Sequence, residues 1–138
     1  MKQIDHIGIA VNNMEASIAR YEILLNTPCY KRETVESQGV ETAFFKVGDS
    51  KIELLAATSP QSVIVSFIEK RGEGIHHIAF ETDDLRKEAA RMQNEGFRLL
   101  NEHPQPGADN KEILFLHPKD TGGVLVELCQ TKPVQDPS

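Results

Sequence analysis

The chain carries one pattern twice. His6-Ile-Gly-Ile-Ala-Val-Asn-Asn-Met-Glu-Ala lies over His77-Ile-Ala-Phe-Glu-Thr-Asp-Asp-Leu-Arg-Lys without a gap, at an offset of 71 residues. Gly48-Asp-Ser-Lys-Ile-Glu53-Leu-Leu lies over Gly122-Gly-Val-Leu-Val-Glu127-Leu-Cys at an offset of 74. The histidine-to-glutamate spacing is 47 residues in the first unit and 50 in the second, a difference that one loop absorbs. A repeat of this kind restricts the fold, because each unit must bury its apolar face against its copy. Two such units in 138 residues make one domain of ordinary size, over residues 1–131.

Both units read alike. Ile4–Val11 alternates as a strand, with His6, Gly8 and Ala10 on one face and Ile7, Ile9 and Val11 on the other. Asn12 or Asn13 caps a helix bearing Met14, Ile18, Tyr21 and Leu25. Strands are predicted over Cys29–Glu36, Val40–Val47 and Lys51–Ala57, the last two joined by Gly48-Asp49. A linker helix over residues 60–71 takes Ser59 as its cap and Pro60 as its first residue, and Gly72 and Gly74 end it. The second unit follows with a strand at Ile75–Thr82 and a helix capped by Asp84, carrying Leu85, Ala89 and Met92 and closed by Gly96. Strands at Phe97–Glu102, Glu112–His117 and Val124–Gln130 complete it. The expected class is α+β: tandem βαβββ repeats, residues 4–57 and 75–130, sharing one curved mixed sheet. Residues 132–138, with two prolines, are expected to be a flexible tail.

Composition removes several function classes. Fifteen basic against twenty-one acidic residues leave a net charge of −6, the wrong sign for displacing counterions from nucleic acid. No apolar run approaches the ~20 residues of a membrane span. The first residues enter a strand-like segment without a secretory apolar stretch. Cys29 and Cys129 are a hundred residues apart and match no zinc-finger spacing. A reduced, cytoplasmic compartment is the expectation.

Alternation also sorts the polar side chains. His77 shares a face with Ala79 and Glu81, whereas His76, Ile78 and Phe80 point the other way. Glu53 opposes Ile52 and Leu54, and Glu127 opposes Val126 and Leu128. His76 is the repeat twin of Asp5, so His77 is the twin of His6. A single histidine or glutamate on such a strand is ordinarily a core or edge residue. The coincidence of both types at matching points of both units argues otherwise. Two carboxylates buried in one concave sheet repel each other and are desolvated, and a divalent cation removes that conflict. Two imidazoles and two carboxylates suit Zn, Co, Ni or Mn and leave positions for water or substrate.

The repeat with His6, Glu53, His77 and Glu127 resembles the vicinal oxygen chelate superfamily, which includes glyoxalase I. Ile4-Asp-His-Ile-Gly-Ile-Ala-Val, Gly74-Ile-His-His-Ile-Ala-Phe and Phe115-Leu-His-Pro-Lys-Asp-Thr-Gly-Gly-Val-Leu-Val-Glu-Leu resemble its methylmalonyl-CoA epimerase family, from Ile4 to about Gln130. The resemblance implies one divalent metal ion per chain held by His6, Glu53, His77 and Glu127. It implies interconversion of the two C2 epimers of methylmalonyl-CoA through a metal-stabilised enolate, within propionate metabolism, in a homodimer. A base is needed on each face of the planar intermediate. Glu127 is the expected ligand and base, with Glu53 as ligand and partner. Glu41 is an alternative second base, since the family has been suggested to use a carboxylate on that strand, although a gap-free alignment puts the position nearer Thr42. Coenzyme A is polyanionic, and Lys119, with Lys111, is the basic candidate for it. Cys129 shares the Glu127 face, where small core packing is its default role. His103 and His117 have no twin and read as loop or strand-end residues. Two other functions fit the same frame: glyoxalase I, acting on a glutathione hemithioacetal, and a metal-free small-molecule binding protein.

Overall fold

A computed structural model describes residues 1–133; most of the expected tail, residues 134–138, lies outside them. The eight strands are β1 (Gln3–Ala10), β2 (Lys31–Val35), β3 (Val40–Val47), β4 (Ser50–Ala57), β5 (Gly74–Glu81), β6 (Gln105–Gly107), β7 (Lys111–Phe115) and β8 (Val126–Thr131). The helices are α1 (Met14–Leu25), α2 (Val63–Arg71) and α3 (Leu85–Asn94). All strands join one sheet in the order β2-β3-β4-β1-β5-β8-β7-β6. Within each unit the first strand pairs parallel with the last, β1 with β4 and β5 with β8. The two units meet where β1 and β5 pair antiparallel. The sheet curls until its ends approach: Asp109, just beyond β6, takes hydrogen bonds from Lys31 and Lys51, and its N–H donates to Glu33 on β2.

The outer face of the sheet explains the helices. Asn13 caps α1 by accepting from the Ala16 N–H, and α1 lays Met14, Ile18, Tyr21 and Leu25 on Ala43, Phe45 and Leu54. Asp84 caps α3 by accepting from the Lys87 N–H, and Leu85, Ala89 and Met92 pack on Leu114, Leu116 and Leu128. With both outer faces covered, the concave inner face is left for a cavity.

Three predicted elements differ. Ser59 and Pro60 do not begin α2. The Ser62 N–H donates to the Ser59 carbonyl, so Ser59–Ser62 is a turn with Pro60 at its favoured second position, and the Ser62 hydroxyl caps the helix by accepting from Ile64. Phe97–Glu102 forms only a bridge at Leu99 with Leu116, because the Asn101 side chain takes the Phe115 N–H and ends the pairing. The edge strand is Gln105–Gly107 instead, turned into β7 by Asp109 and Asn110 in left-handed conformation (φ +59° and +57°).

The third difference lies between β1 and β5. Ile4 opposes Phe80 and His6 opposes Ala79, so Asp5 is an extra residue in β1; Gly8 opposes His77 and Ile9 opposes Ile75, so His76 is an extra residue in β5. Two β-bulges thus occupy twin positions of the repeat. Strict alternation had turned His76 away from His77. The bulge brings it back, since the residue inserted at a bulge is re-aimed relative to its neighbours.

Candidate active site

Glu53, His6, His77 and Glu127 sit on four consecutive strands, β4, β1, β5 and β8. The register explains how they approach one another. Gly8 lies between Glu53 and His77 in one cross-strand row, and Ala79 lies between His6 and Glu127 in the next. Each row spaces its histidine from its glutamate with a small residue, over which the longer side chains lean. At Gly8 this is obligatory, because a Cβ there would stand 2.3 Å from the His77 ring. All four side chains are buried.

Three of the four converge. The His6 and His77 Nε2 atoms are 3.0 Å apart, with Glu127 Oε2 3.6 Å from the first and Oε1 3.5 Å from the second. Ligand atoms of His6, His77 and Glu127 all lie within 4.8 Å of one another. Glu53 is instead drawn to the other edge of the His6 ring: its Oε2 is 3.0 Å from His6 Nδ1 and groups with Asp5 rather than with His77 and Glu127. This second group already has its cation, since the Lys51 ammonium stands 3.3 Å from Asp5 and 4.0 Å from Glu53.

The first group fits a divalent ion. Glu127 Oε2 is buried without a hydrogen-bond partner, as is Glu53 Oε2. An orphaned carboxylate oxygen beside two imidazole nitrogens is a ligand set for a borderline cation. Second partners orient both rings, as metal-ligating histidines require. The His6 Nδ1–H donates to Asp5 at 2.7 Å, and His77 Nδ1 is 2.9 Å from His76 Nδ1.

Electrostatics separate the three. Burial works against charge on His6, but the hydrogen bond to Asp5 and the nearby Glu53 and Glu127 prevail and raise its pKa to about 10. Burial drives the pKa of His77 well below its usual value, and His6 and His76 add to the effect. Burial pushes Glu127 up to about 7, with Glu53 and Asp5 reinforcing the shift and His6 and Lys51 opposing it. Burial also works against charge on Asp5, yet His6, Lys51 and Lys111 hold it well below the usual carboxylate range.

Above this group opens a cavity of about 550 Å³, with apolar walls that include Val40, Leu55, Ile113, Phe115 and Leu125 and with Thr42, Gln61 and His76 among its polar lining. A second cavity of about 400 Å³ shares Val63, His76, His77 and Leu125 with the first and adds Lys70 and Arg71 of α2.

Other candidates lie elsewhere. Glu41 is not at the site: it pairs with Arg32, which also meets Glu15, on the face of β3 opposite the cavity, while buried Thr42 faces inward. Alternation on β3 puts neighbouring residues on opposite faces, so Glu41 points away from the cavity that Thr42 lines. Lys111 is turned inward, donating to Thr131 2.7 Å away and lying 3.4 Å from Asp5. Lys119 is exposed beside Pro118, which lines the second cavity, but is not itself part of that lining. Cys129 packs among Ala79, Ile113 and Phe115, and His117 accepts from the Lys119 N–H to cap a short turn. Sequence reasoning passed over Asp5, His76, Lys51, Lys70 and Arg71. For Asp5 and His76 the signal was present, since they are twins that each precede a ligand-type histidine.

A duplicated βαβββ sheet with a His–His–Glu group in its concavity defines a family, and residues 5–115 match the Glyoxalase/Bleomycin resistance protein/Dioxygenase superfamily, to which the chain belongs. Within it, the chain is similar to epimerases acting on acyl-CoA. It is 38% identical over 130 residues to the ethylmalonyl-CoA/methylmalonyl-CoA epimerase of Cereibacter sphaeroides, covering 93% of this chain and 97% of that protein. It is 36% identical over 129 residues to the mitochondrial methylmalonyl-CoA epimerase of Homo sapiens, covering 93% and 73%. The structure superposes on the Streptomyces coelicolor methylmalonyl-CoA epimerase in complex with 2-nitronate-propionyl-CoA with a TM-score of 0.91 at 37% identity, covering 96% of this chain and 99% of that one.

Proposed function

We propose that this protein interconverts the C2 epimers of methylmalonyl-CoA by proton transfer, using a divalent ion held by His6, His77 and Glu127. The observation that carries the reading is the convergence of two imidazole Nε2 atoms and an unpartnered, buried carboxylate beneath a cavity of about 550 Å³. A cation in that position would supply the positive charge that stabilises an enolate developing next to a thioester carbonyl.

The chain's own residues account for the remaining requirements. The Glu127 carboxylate, buried beside the two imidazoles with one oxygen left without a hydrogen-bond partner and lining the cavity, is the group placed to take and return the proton at C2. Glu53 lines the same cavity from β4 as Glu127 does from β8, and it is the second carboxylate available for the other face of a planar intermediate. Apolar walls exclude water and match a small acyl group. Lys70 and Arg71, on the second cavity, offer the cationic surface that coenzyme A phosphates need in an acidic protein. A homodimer, a cytoplasmic location and Zn, Co, Ni or Mn as the ion belong to the same reading. Among the described residues, no helix is long and apolar enough to cross a membrane.

Proton NMR of methylmalonyl-CoA in deuterated water, with cobalt-loaded protein against a chelator-treated control, tests the reaction. Metal-dependent deuterium entry at C2, well above the spontaneous rate, is the expected result. Folded, metal-replete protein that leaves C2 unexchanged would overturn the proposal, and turnover of methylglyoxal with glutathione would then favour the lyase alternative.

A further inference from the structure

The bulges at Asp5 and His76 do the same work in the two units with different chemistry. Each inserts one residue immediately before a histidine of the site, and each inserted side chain reaches the Nδ1 edge of that histidine. Asp5, when ionised, only accepts, so His6 carries its proton on Nδ1 and turns Nε2 to the cluster. His76 can either donate or accept, and its own position is fixed from outside the site. The Phe67 ring of α2 stands edge-on to the His76 ring at a centroid distance of 4.9 Å, and the His76 and His77 rings are perpendicular, 5.2 Å apart. His77 is further confined by Phe115 and by the bare backbone of Gly8.

We infer that His76 is a positioning residue: it accepts the Nδ1–H of His77 through its own Nδ1 and so holds His77 in the tautomer whose Nε2 lone pair faces His6 and Glu127. The inference adds a role to a residue outside the His6–His77–Glu127 group, and it rests on the proposed ion only for its consequence. A histidine whose second nitrogen is tied down is both oriented and made a better ligand, and loss of such a partner typically costs about 10- to 100-fold in metal affinity. The two ligands become unequal. His6 is backed by an anion, and His77 by a neutral ring.

Long-range 1H–15N NMR on metal-free protein reads the tautomer directly, without any ion or substrate. The wild type is expected to show His77 protonated on Nδ1. His76→Asn keeps an acceptor in nearly the same place and should retain that tautomer; His76→Leu removes it and should move the proton toward Nε2. Cobalt titration, followed by the visible spectrum of the bound ion, should show about a 10- to 100-fold loss of affinity in His76→Leu with recovery in His76→Asn. A wild-type His77 protonated on Nε2 would overturn the inference even if His76→Leu failed to fold. So would a folded His76→Leu with unaltered tautomer and cobalt affinity. Wild-type protein that showed the Nδ1 tautomer but bound no cobalt would leave His76 in its positioning role and remove the ion from the proposed function, so the two readings fail separately.

Discussion

The two units present a histidine at the same point of the same strand, yet they hold it in opposite surroundings. Around His6 the side chains are charged: Asp5 on its Nδ1, Glu53 beside it, and Lys51 and Lys111 on the far side of Asp5. Apart from the shared contacts with His6 and Glu127 at its Nε2, the side chains around His77 are neutral or apolar: His76 on its Nδ1, Phe115 against its ring and Phe67 behind His76. The glutamates differ in the same sense. Glu53 is drawn toward the Lys51 side, whereas Glu127 is left unpaired in an apolar setting that favours its protonated form. Duplication supplied the geometry, and divergence supplied a difference in charge between its two halves. A site that must move a proton between two faces can use such a difference, because groups with unlike proton affinities take unlike roles.

The comparison is broken most severely at the glutamates. Replacing Glu127 with Gln is expected to slow C2 exchange by about 100- to 10,000-fold, the usual range for removing a general acid–base group. Glu53→Gln should cost clearly less and should leave cobalt affinity closer to wild type, because the Glu53 oxygens lie apart from the His6–His77–Glu127 group. Deuterium-exchange rates with cobalt titration decide this, and equal losses would mean that the halves share the work evenly.

Asp5 tests the charged half. Asp5→Ala takes the carboxylate from buried Lys111, while Lys51 keeps Asp109, and removal of one partner from a buried pair costs about 3–5 kcal/mol. Urea unfolding should show the loss. His76→Leu, which strands no charge, should cost much less stability.

The small residues at the row centres come next. Gly8→Ala puts a Cβ where the His77 ring lies, and forcing extra volume into packed surroundings costs about 1–3 kcal/mol. Cobalt affinity should fall with it. Ala79, the twin of Gly8, already carries a Cβ opposite His6, so Ala79→Gly should cost about 0.5–1 kcal/mol through backbone entropy and little affinity.

The pH dependence of the metal-free protein sharpens the same contrast. His6 is raised from 6.5 to about 10 and Glu127 from 4.5 to about 7, so each binds its proton more tightly in the folded state. The contribution of His6 is complete below its unfolded value and lost as pH rises through 10. That of Glu127 is complete below its unfolded value and lost as pH rises through 7. Both slopes have one sign, but His77 and His76, whose pKa values burial drives below 6.5, oppose them up to that value, so the urea midpoint should fall chiefly between about pH 7 and pH 9. Asp5 acts oppositely, but only in acid, where its depressed carboxyl begins to protonate. A bound cation needs Glu127 ionised and both histidines unprotonated at Nε2, so the loaded protein should gain stability across the same interval. The smallest effect belongs to Glu41→Gln, which loses a surface pair with Arg32 worth about 0.2–1 kcal/mol and should leave the exchange rate within about twofold.

Much of this molecule was legible in the chain, for identifiable reasons. The caps at Asn13 and Asp84, the turn at Gly48-Asp49 and the strand faces of Ala10, Leu54 and Leu128 are local or periodic features, and the structure follows them. The offset of 71 residues linked His6 with His77 before any fold was known. The readings that failed each needed a partner strand or a competing hydrogen bond. Alternation put His76 on the wrong face because it assumes one residue per rung, and only the pairing of β1 with β5 decides where an extra residue is inserted. Lys111 read, with Lys119, as a cation for coenzyme A until folding placed it beside Asp5 and Thr131. Pro60 read as a helix start until the Ser59 carbonyl accepted from Ser62. The sequence by itself determined the duplicated architecture and the identity of the four inward side chains, because strand and helix periodicity act within a few residues. The tertiary structure decided which carboxylate joins the two imidazoles and what holds each ring, because bulges and buried charge pairs exist only once distant strands are in register.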